Sequence, residues 1–485
     1  MNVHHVDRRA QGHLLNRLPF AWRSLRAWPM MRRLASFAVL CFLLTFTPAL
    51  AQFDTIINVP PDVAPFSIGS NAQLNVFDGG AVPFGVRAGD AGGGSVDVEV
   101  NVFGGTLDGS SRANAGSTFN IVGGSIGERF RANAGSVVNL AGGAIGRQFA
   151  ARPGSEVNIS GGVIGDRFDG DFGSTVRLHG GEFMRNKFPQ PAGTTISLGN
   201  SDVVTGTLSD GSPFIFFTNL FQGDSLFSAQ LVDAAPPPVE TTPLVIADNT
   251  GPNGLRSGQT LTLADGGQLA EHFAVVSATL NITGGTVGDG LEIAGGDVTM
   301  SGGSVEGNMT VLTGSVVNVS GGSVGRLETY FGSETNLTGG QFGNFFRAWQ
   351  QSSVNISGGT FGRGFVTHGF SDVRFAGGEF LLNGTVPVVS GGPVVLDNTD
   401  VLTGTFEDGS PFVFTPGAGD DLAGVTFVET TVPMIETTPI VVSNSDSPTG
   451  LRAAQMLTVT DGGQLPENFA AVHATLNVAG GVVGS

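Results

Sequence analysis

The sequence predicts an all-β fold, an elongated parallel β-solenoid with about 19 residues per rung, and three observations lead there. A Gly-Gly step recurs at that fixed interval, each copy opened by Asn101, Asn120, Asn139, Asn158 or Arg177. Apolar residues flank each of these polar positions in the period-two alternation of a half-buried strand. Glycines also interrupt every unit, so no long helical period survives. A second run, opened at Asn281, continues through Asn318, Asn336, Asn355 and Arg374. Self-similarity at a short fixed period marks stacked rungs, none of which can bury its apolar face alone.

Within a rung the columns separate by chemistry. Phe119, Val138, Val157 and Val176 precede the Asn column, and Ile121, Leu140, Ile159 and Leu178 follow it. The flanking columns are expected inside and the asparagines outside. Gly123-Gly124, Gly142-Gly143 and Gly161-Gly162 then supply a corner where positive φ carries no Cβ penalty. Ile126, Ile145 and Ile164 form a second inward column, and the segment containing Phe130, Phe149 and Phe168 is expected to close the rung. Spacing wavers between Gly290 and Gly303, which predicts an irregular rung. Right-handed coiling is expected, because parallel crossovers favour that hand and left-handed hexapeptide coils would give about 18 residues per turn.

The chain divides in order. Residues 1–51 read as an export signal: Arg32 and Arg33, an apolar run from Leu34 to Leu44, then Ala49-Leu50-Ala51 before Gln52. That run falls short of the roughly 20 residues that span a bilayer, so the mature chain is expected to have no transmembrane segment. Residues 52–198 form a first array, 199–260 a strand-rich insert with Pro236-Pro237-Pro238, and 261–396 a second array. Residues 397–456 repeat the insert, and 457–485 begin a third array, read as incomplete. Asp202-Val-Val-Thr-Gly-Thr-Leu-Ser-Asp-Gly-Ser-Pro-Phe returns 198 residues later at Asp400. Two readings of the proline link stay open: it separates domains, or it runs along the outside of one continuous solenoid.

Cys41 is the only cysteine and lies in the signal, so disulfides and cysteine-bound metals are excluded from the mature protein. Removing the signal leaves 16 basic and 40 acidic residues, a net charge of −24. Such a surface repels nucleic acid and anionic lipid. Loose calcium binding at Asp265 or Asp420-Asp421 is compatible with it. Gly-Asp steps ending at Asp166 and Asp289 resemble calcium β-rolls but carry one residue too many, and Glu128 and Arg147 occupy the aligned position. No cofactor, metal or catalytic residue is assigned. Lys187 is the only lysine, and His179, His272, His368 and His473 lie far apart in sequence and read as surface polar groups. Trp349 and Tyr330 are the mature chain's only large amphipathic aromatics.

The Asn158-Ile-Ser-Gly-Gly type of unit resembles large exported bacterial β-solenoid proteins, including adhesin-like exoproteins, over most of residues 70–485. No functional residue transfers from that resemblance. The expectation is a secreted or cell-surface structural or adhesive protein whose partners are cell-surface or matrix glycans. A polysaccharide-active β-helix enzyme, a lyase or hydrolase, is the alternative.

Overall fold

A computed structural model describes residues 53–484 apart from residues 84, 219–222, 249–250, 392–393 and 395. The expected export signal, residues 1–51, lies outside the described residues.

One rung shows how the sequence makes the fold. Ser117–Ile121, Ser125–Ile126 and Arg131–Ala132 are three short strands separated by turns, so each rung has three faces. Each strand pairs in parallel with its counterpart one rung away: Val138 with Val157, Asn139 with Asn158, Leu140 with Ile159. Val138, Leu140, Ile145 and Phe149 are fully enclosed, while Asn139 faces outward and stays half-buried. The strand orientation expected from the alternation is therefore the one observed. The segment after Phe130 closes the rung as a third strand, with Ala132 inward and Arg131 outward.

The first and second corners differ for a steric reason. A Cβ at Gly143 would lie 2.7 Å from the Gly124 carbonyl oxygen of the rung before, and φ there is +71°. No side chain fits. At the second corner, Arg129, Gln148 and Arg167 also adopt positive φ, but arginine and glutamine are accommodated there. Like residues stack through the interior: Phe119, Phe130, Phe149, Phe168 and Phe216 form a chain with ring centroids 5.0–5.4 Å apart. Close packing of such rings adds to their area burial.

The region around Gly290 to Gly303 is more regular than the spacing suggests. Asp297–Met300 lies in register between Thr279–Ile282 and Val316–Val319, so Asn281, Thr299 and Asn318 share one column. The rung is one residue shorter, with Asn281 and Thr299 separated by 18 positions. Threonine in the column hides it from a reading that follows asparagine.

Strand pairing falls into three stacks. The first runs from Thr55–Val59 to Ala229–Asp233, the second from Leu244–Ile246 to Val425–Glu429, and the third from Ile440–Val442 to Val482–Val483. The ladders stop at Asp233 and restart at Leu244, with the prolines between. Before each of the two breaks, an antiparallel hairpin folds back on the last long strand. Val203–Leu208 and Pro213–Phe217 do so on Thr175–Arg185, and Leu402–Phe406 and Pro411–Phe414 do so on Asp372–Leu382.

The repeated Asp-Gly-Ser-Pro-Phe motif is the clasp of this hairpin. Asp210 accepts hydrogen bonds from the Gly162 amide at 2.8 Å and the Ser212 amide at 2.8 Å. Asp408 accepts from the Gly359 amide at 3.0 Å and the Ser410 amide at 2.7 Å. Each carboxylate thus ties the turn to the glycine corner of the preceding rung.

Candidate functional site

Three features concentrate polar or aromatic chemistry: two columns set by the register and one cluster set by the packing of two stacks. The first is the asparagine ladder. Asn75 donates to Asn58, Asn101 to Asn75, Asn120 to Asn101, Asn139 to Asn120 and Asn158 to Asn139, all at 2.8–3.0 Å. Arg177 ends the series by donating to Asn158 Oδ1 at 3.1 Å. Each amide donates along the stack and accepts from the next, so the column is largely satisfied by itself.

The second feature lies between the first two stacks. His272 Nδ1 is 3.1 Å from Asp166 Oδ1, although 106 residues separate them. Arg147 reaches Asp166 at 3.4 Å and Asp289 at 3.3 Å. The two aspartates of the Gly-Asp steps are therefore joined through an arginine rather than arranged around a cation. Nearby, Asp224 accepts from the Phe168 amide at 2.7 Å and the Phe217 amide at 2.9 Å. Burial dominates its behaviour and pushes its carboxyl up to about 7. Glu292 is likewise raised well above the usual carboxylate range, first by burial and then by the charges of Asp166 and Asp224. Asp166 responds the other way: burial would raise it, but the hydrogen bond and charge of His272, with Arg147, hold it low.

The cavity between Pro213, Phe214, His272, Ala274 and Glu292 has a volume of about 20 Å³. That is room for a water molecule, not for a sugar ring. Chemically, the cluster is a charge network at a packing junction: Arg147 and His272 satisfy Asp166, while burial and the neighbouring carboxylates favour the neutral forms of Asp224 and Glu292. His272 is only 11 % exposed at its side chain, so it is not the surface group expected from sequence. His179 and His368 are also partly buried, and burial lowers the pKa of both; His473 alone is exposed.

The third feature is an aromatic column. Tyr330, Trp349 and His368 stand on successive rungs, and their rings stack at 5.7 Å and 4.0 Å. Arg347 lies over the Trp349 ring at 5.9 Å, and Tyr330 Oη donates to Glu328 at 2.5 Å. Phe217 of the first hairpin meets Tyr330 at 5.4 Å. Val203, Ile215 and Phe217 pack here with Ala274, Val276, Ala294 and Leu312. The even spacing of Tyr330, Trp349 and His368 is visible in the sequence. A reading that follows only the asparagine and glycine columns passes over it.

The remaining candidates have local duties. Asp420 accepts from the Gly364 and Phe365 amides at 2.9 Å each and from Thr415 at 2.8 Å. Asp421 accepts from the Ala423 amide at 3.0 Å. The Asp265 side chain lies against Gly284 of the next rung, and Lys187 packs over Gly314. Among the described residues, no group of three His, Cys, Asp or Glu side chains is placed to hold a metal ion. Comparison with family models, with curated proteins and with solved structures finds no match.

Proposed function

We propose that the chain is an exported, extracellular structural or adhesive protein of the kind its repeats resemble. The observation that carries this reading is the self-satisfied asparagine ladder, an outward column that repeats one contact surface on successive rungs of the first stack from Asn58 to Asn158. Equivalent sites at the strand spacing of about 4.8 Å give a linear ligand many weak contacts, and linked weak contacts gain strength by avidity. Catalysis needs one unique constellation of acid, base and binding groups. The residues that gather here are engaged with one another, as Asp166, Arg147 and His272 are. Cell-surface or matrix glycans are the proposed partners.

The test is made on the secreted chain. Its amino terminus should be Gln52, and it should bind immobilised glycan with an affinity that rises with glycan length, without releasing product. Reproducible cleavage of a polysaccharide, abolished by one point substitution, would overturn the reading in favour of an enzyme.

A further inference from the structure

The third face of the first stack holds a column of like charge. Arg87–Ala88, Arg112–Ala113 and Arg131–Ala132 are neighbouring strands, with Arg87 opposite Arg112 and Arg112 opposite Arg131. Their Cα atoms are therefore stacked at about the 4.8 Å strand spacing. Like charges directly opposite in a sheet are destabilising. Arg129 adds a fourth guanidinium at the adjoining corner, where its Nε donates to Gln148 Oε1 at 3.1 Å. Arg87, Arg129 and Arg131 are exposed and Arg112 is half-exposed.

None of these four makes an ion pair among the described residues. Other arginines of the same stack do: Arg152 with Asp171 at 2.9 Å, Arg147 with Asp166 at 3.4 Å, and Arg185 with Asp202. The sequence contains 41 acidic residues against 23 basic ones, so partners are not scarce. Four arginines are gathered where, among the described residues, no carboxylate pairs with them. Beyond Arg131 the column passes to Ala150 and then to Asp169, and a depression of about 520 Å³ there is bordered by Arg129, Arg131, Gln148, Arg152, Arg167 and Asp169, the last paired with Arg152 at 3.2 Å. Beside the column, Asn133 donates to Asn114 at 2.8 Å, leaving an amide oxygen next to the guanidinium row.

We infer that Arg87, Arg112, Arg129 and Arg131 form a binding lane for an acidic polysaccharide lying along the stack. Guanidinium forks pair with carboxylates in two parallel hydrogen bonds, and a polyanion relieves the repulsion between stacked arginines. A uronate chain suits a lane one strand wide, and its hydroxyls suit the neighbouring asparagines. A nucleic-acid duplex carries closely spaced charge on two strands and needs a broad basic surface, which this acidic chain does not offer. The inference rests on the glycan-binding reading above and names its ligand class and residues.

The test uses the secreted full chain with polygalacturonate, its methyl ester, poly-dT and anionic phosphatidylglycerol vesicles as probes. Polygalacturonate should bind, the neutral ester should bind at least about tenfold more weakly, and added salt should weaken the acidic probe alone. Replacing Arg87, Arg112 and Arg131 together with Gln should weaken polygalacturonate binding about tenfold or more without changing the circular dichroism spectrum. Replacing them with Lys should recover part of the binding, because charge is kept and the fork is lost. If the triple variant misfolds, the single Arg112→Gln change is read in its place, with a smaller loss expected. Glycan binding that survives both variants would overturn the lane but leave the adhesive reading standing. Failure of the wild-type chain to bind any glycan would overturn both. Equal or tighter binding to poly-dT or vesicles would also overturn the assignment to acidic polysaccharide.

Discussion

The first stack, residues 53–233, and the second, residues 244–429, share one rung and diverge almost entirely on the outside. Their interiors are interchangeable: Val157 and Ile159 in one correspond to Val354 and Ile356 in the other, all fully enclosed. Outward, the first stack carries an asparagine ladder from Asn58 to Arg177, whereas the second breaks the same column with Thr262 and Thr299. On the third face, the column of Arg87, Arg112 and Arg131 corresponds to Glu292, Thr310, Glu328 and Arg347. Two residues further on, Asn114, Asn133 and Arg152 correspond to Leu312, Tyr330 and Trp349. Burial fixes the inward columns, while the outward ones record what each face meets. For the second stack, that neighbour is the hairpin of the first.

The largest expected effect tests whether the interiors are in fact equivalent. Phe149→Ala and Phe346→Ala each remove a ring that is at most 1 % exposed, and each should destabilise its stack by about 3–5 kcal/mol. Chemical denaturation followed by circular dichroism measures both. A loss in one stack several times that in the other would break the comparison, by showing that the second stack gains its stability from a different source.

The junction comes next. Phe217 is 9 % exposed and faces Tyr330, so Phe217→Ala should cost about 2 kcal/mol and separate the unfolding of the two stacks into distinct transitions. The second hairpin has Thr415 in the place of Phe217 and leaves Val413 39 % exposed, so its grip on the third stack should be weaker. Calorimetry that still shows one joint transition in the Phe217→Ala chain would mean the hairpin does not couple the stacks.

The junction was the least legible part of the sequence. Period and alternation reveal which residues of a rung point inward, because burial acts on every copy alike. They say nothing about pairs such as Asp166 and His272, which meet only because two stacks pack against each other. The Asp-Gly-Ser-Pro-Phe repeat was legible as a motif, but its role as a clasp required the register. The Pro-rich link hid a further signal: Gly254-Leu-Arg256 returns 196 residues later as Gly450-Leu-Arg452. Arg256 donates to the Pro237 and Pro238 carbonyls at 2.7 Å each, and Arg452 donates to Pro433 at 2.6 Å. A Cβ on Gly254 would sit 2.6 Å from Pro213, so the glycine admits the hairpin's proline. Ser67-Ile68-Gly69 occupies that place in the first stack, where no hairpin is seated among the described residues.

A pH test sharpens the same junction. A carboxyl raised in the folded state binds its proton more tightly there than when unfolded. The stability it contributes is therefore fully present in acid and is lost as pH rises from the unfolded carboxylate range through the folded pKa. Asp224, pushed up to about 7, and Glu292 both fall in this class. His179 and His368, lowered mainly by burial, act in the opposite direction as pH falls below the usual histidine range. Comparing Glu292→Gln with wild type cancels the histidine contribution. The variant's melting temperature should match wild type near pH 4 and exceed it near pH 8. A difference that does not change with pH would show that Glu292 is not held neutral at the junction.

The smallest effect decides what the asparagine column is for. Asn139 donates to Asn120 at 2.8 Å and accepts from Asn158 at 3.0 Å, so Asn139→Ala removes two ladder bonds. Asn318, at the edge of the broken ladder, accepts from Asn336 at 3.0 Å and lies opposite Thr299 on its other side. A net hydrogen bond is worth about 1 kcal/mol or less at a half-exposed site. Asn139→Ala should therefore cost about 1–2 kcal/mol, and Asn318→Ala roughly half as much. Denaturant midpoints at constant m-value resolve differences of this size. Equal losses at the two sites would mean that the bonds along the ladder add nothing beyond the side chain's own packing. If neither substitution altered stability but Asn139→Ala weakened glycan binding, the column would be a ligand surface and not a stabilising ladder. The first stack's unbroken series would then be its clearest functional difference from the second.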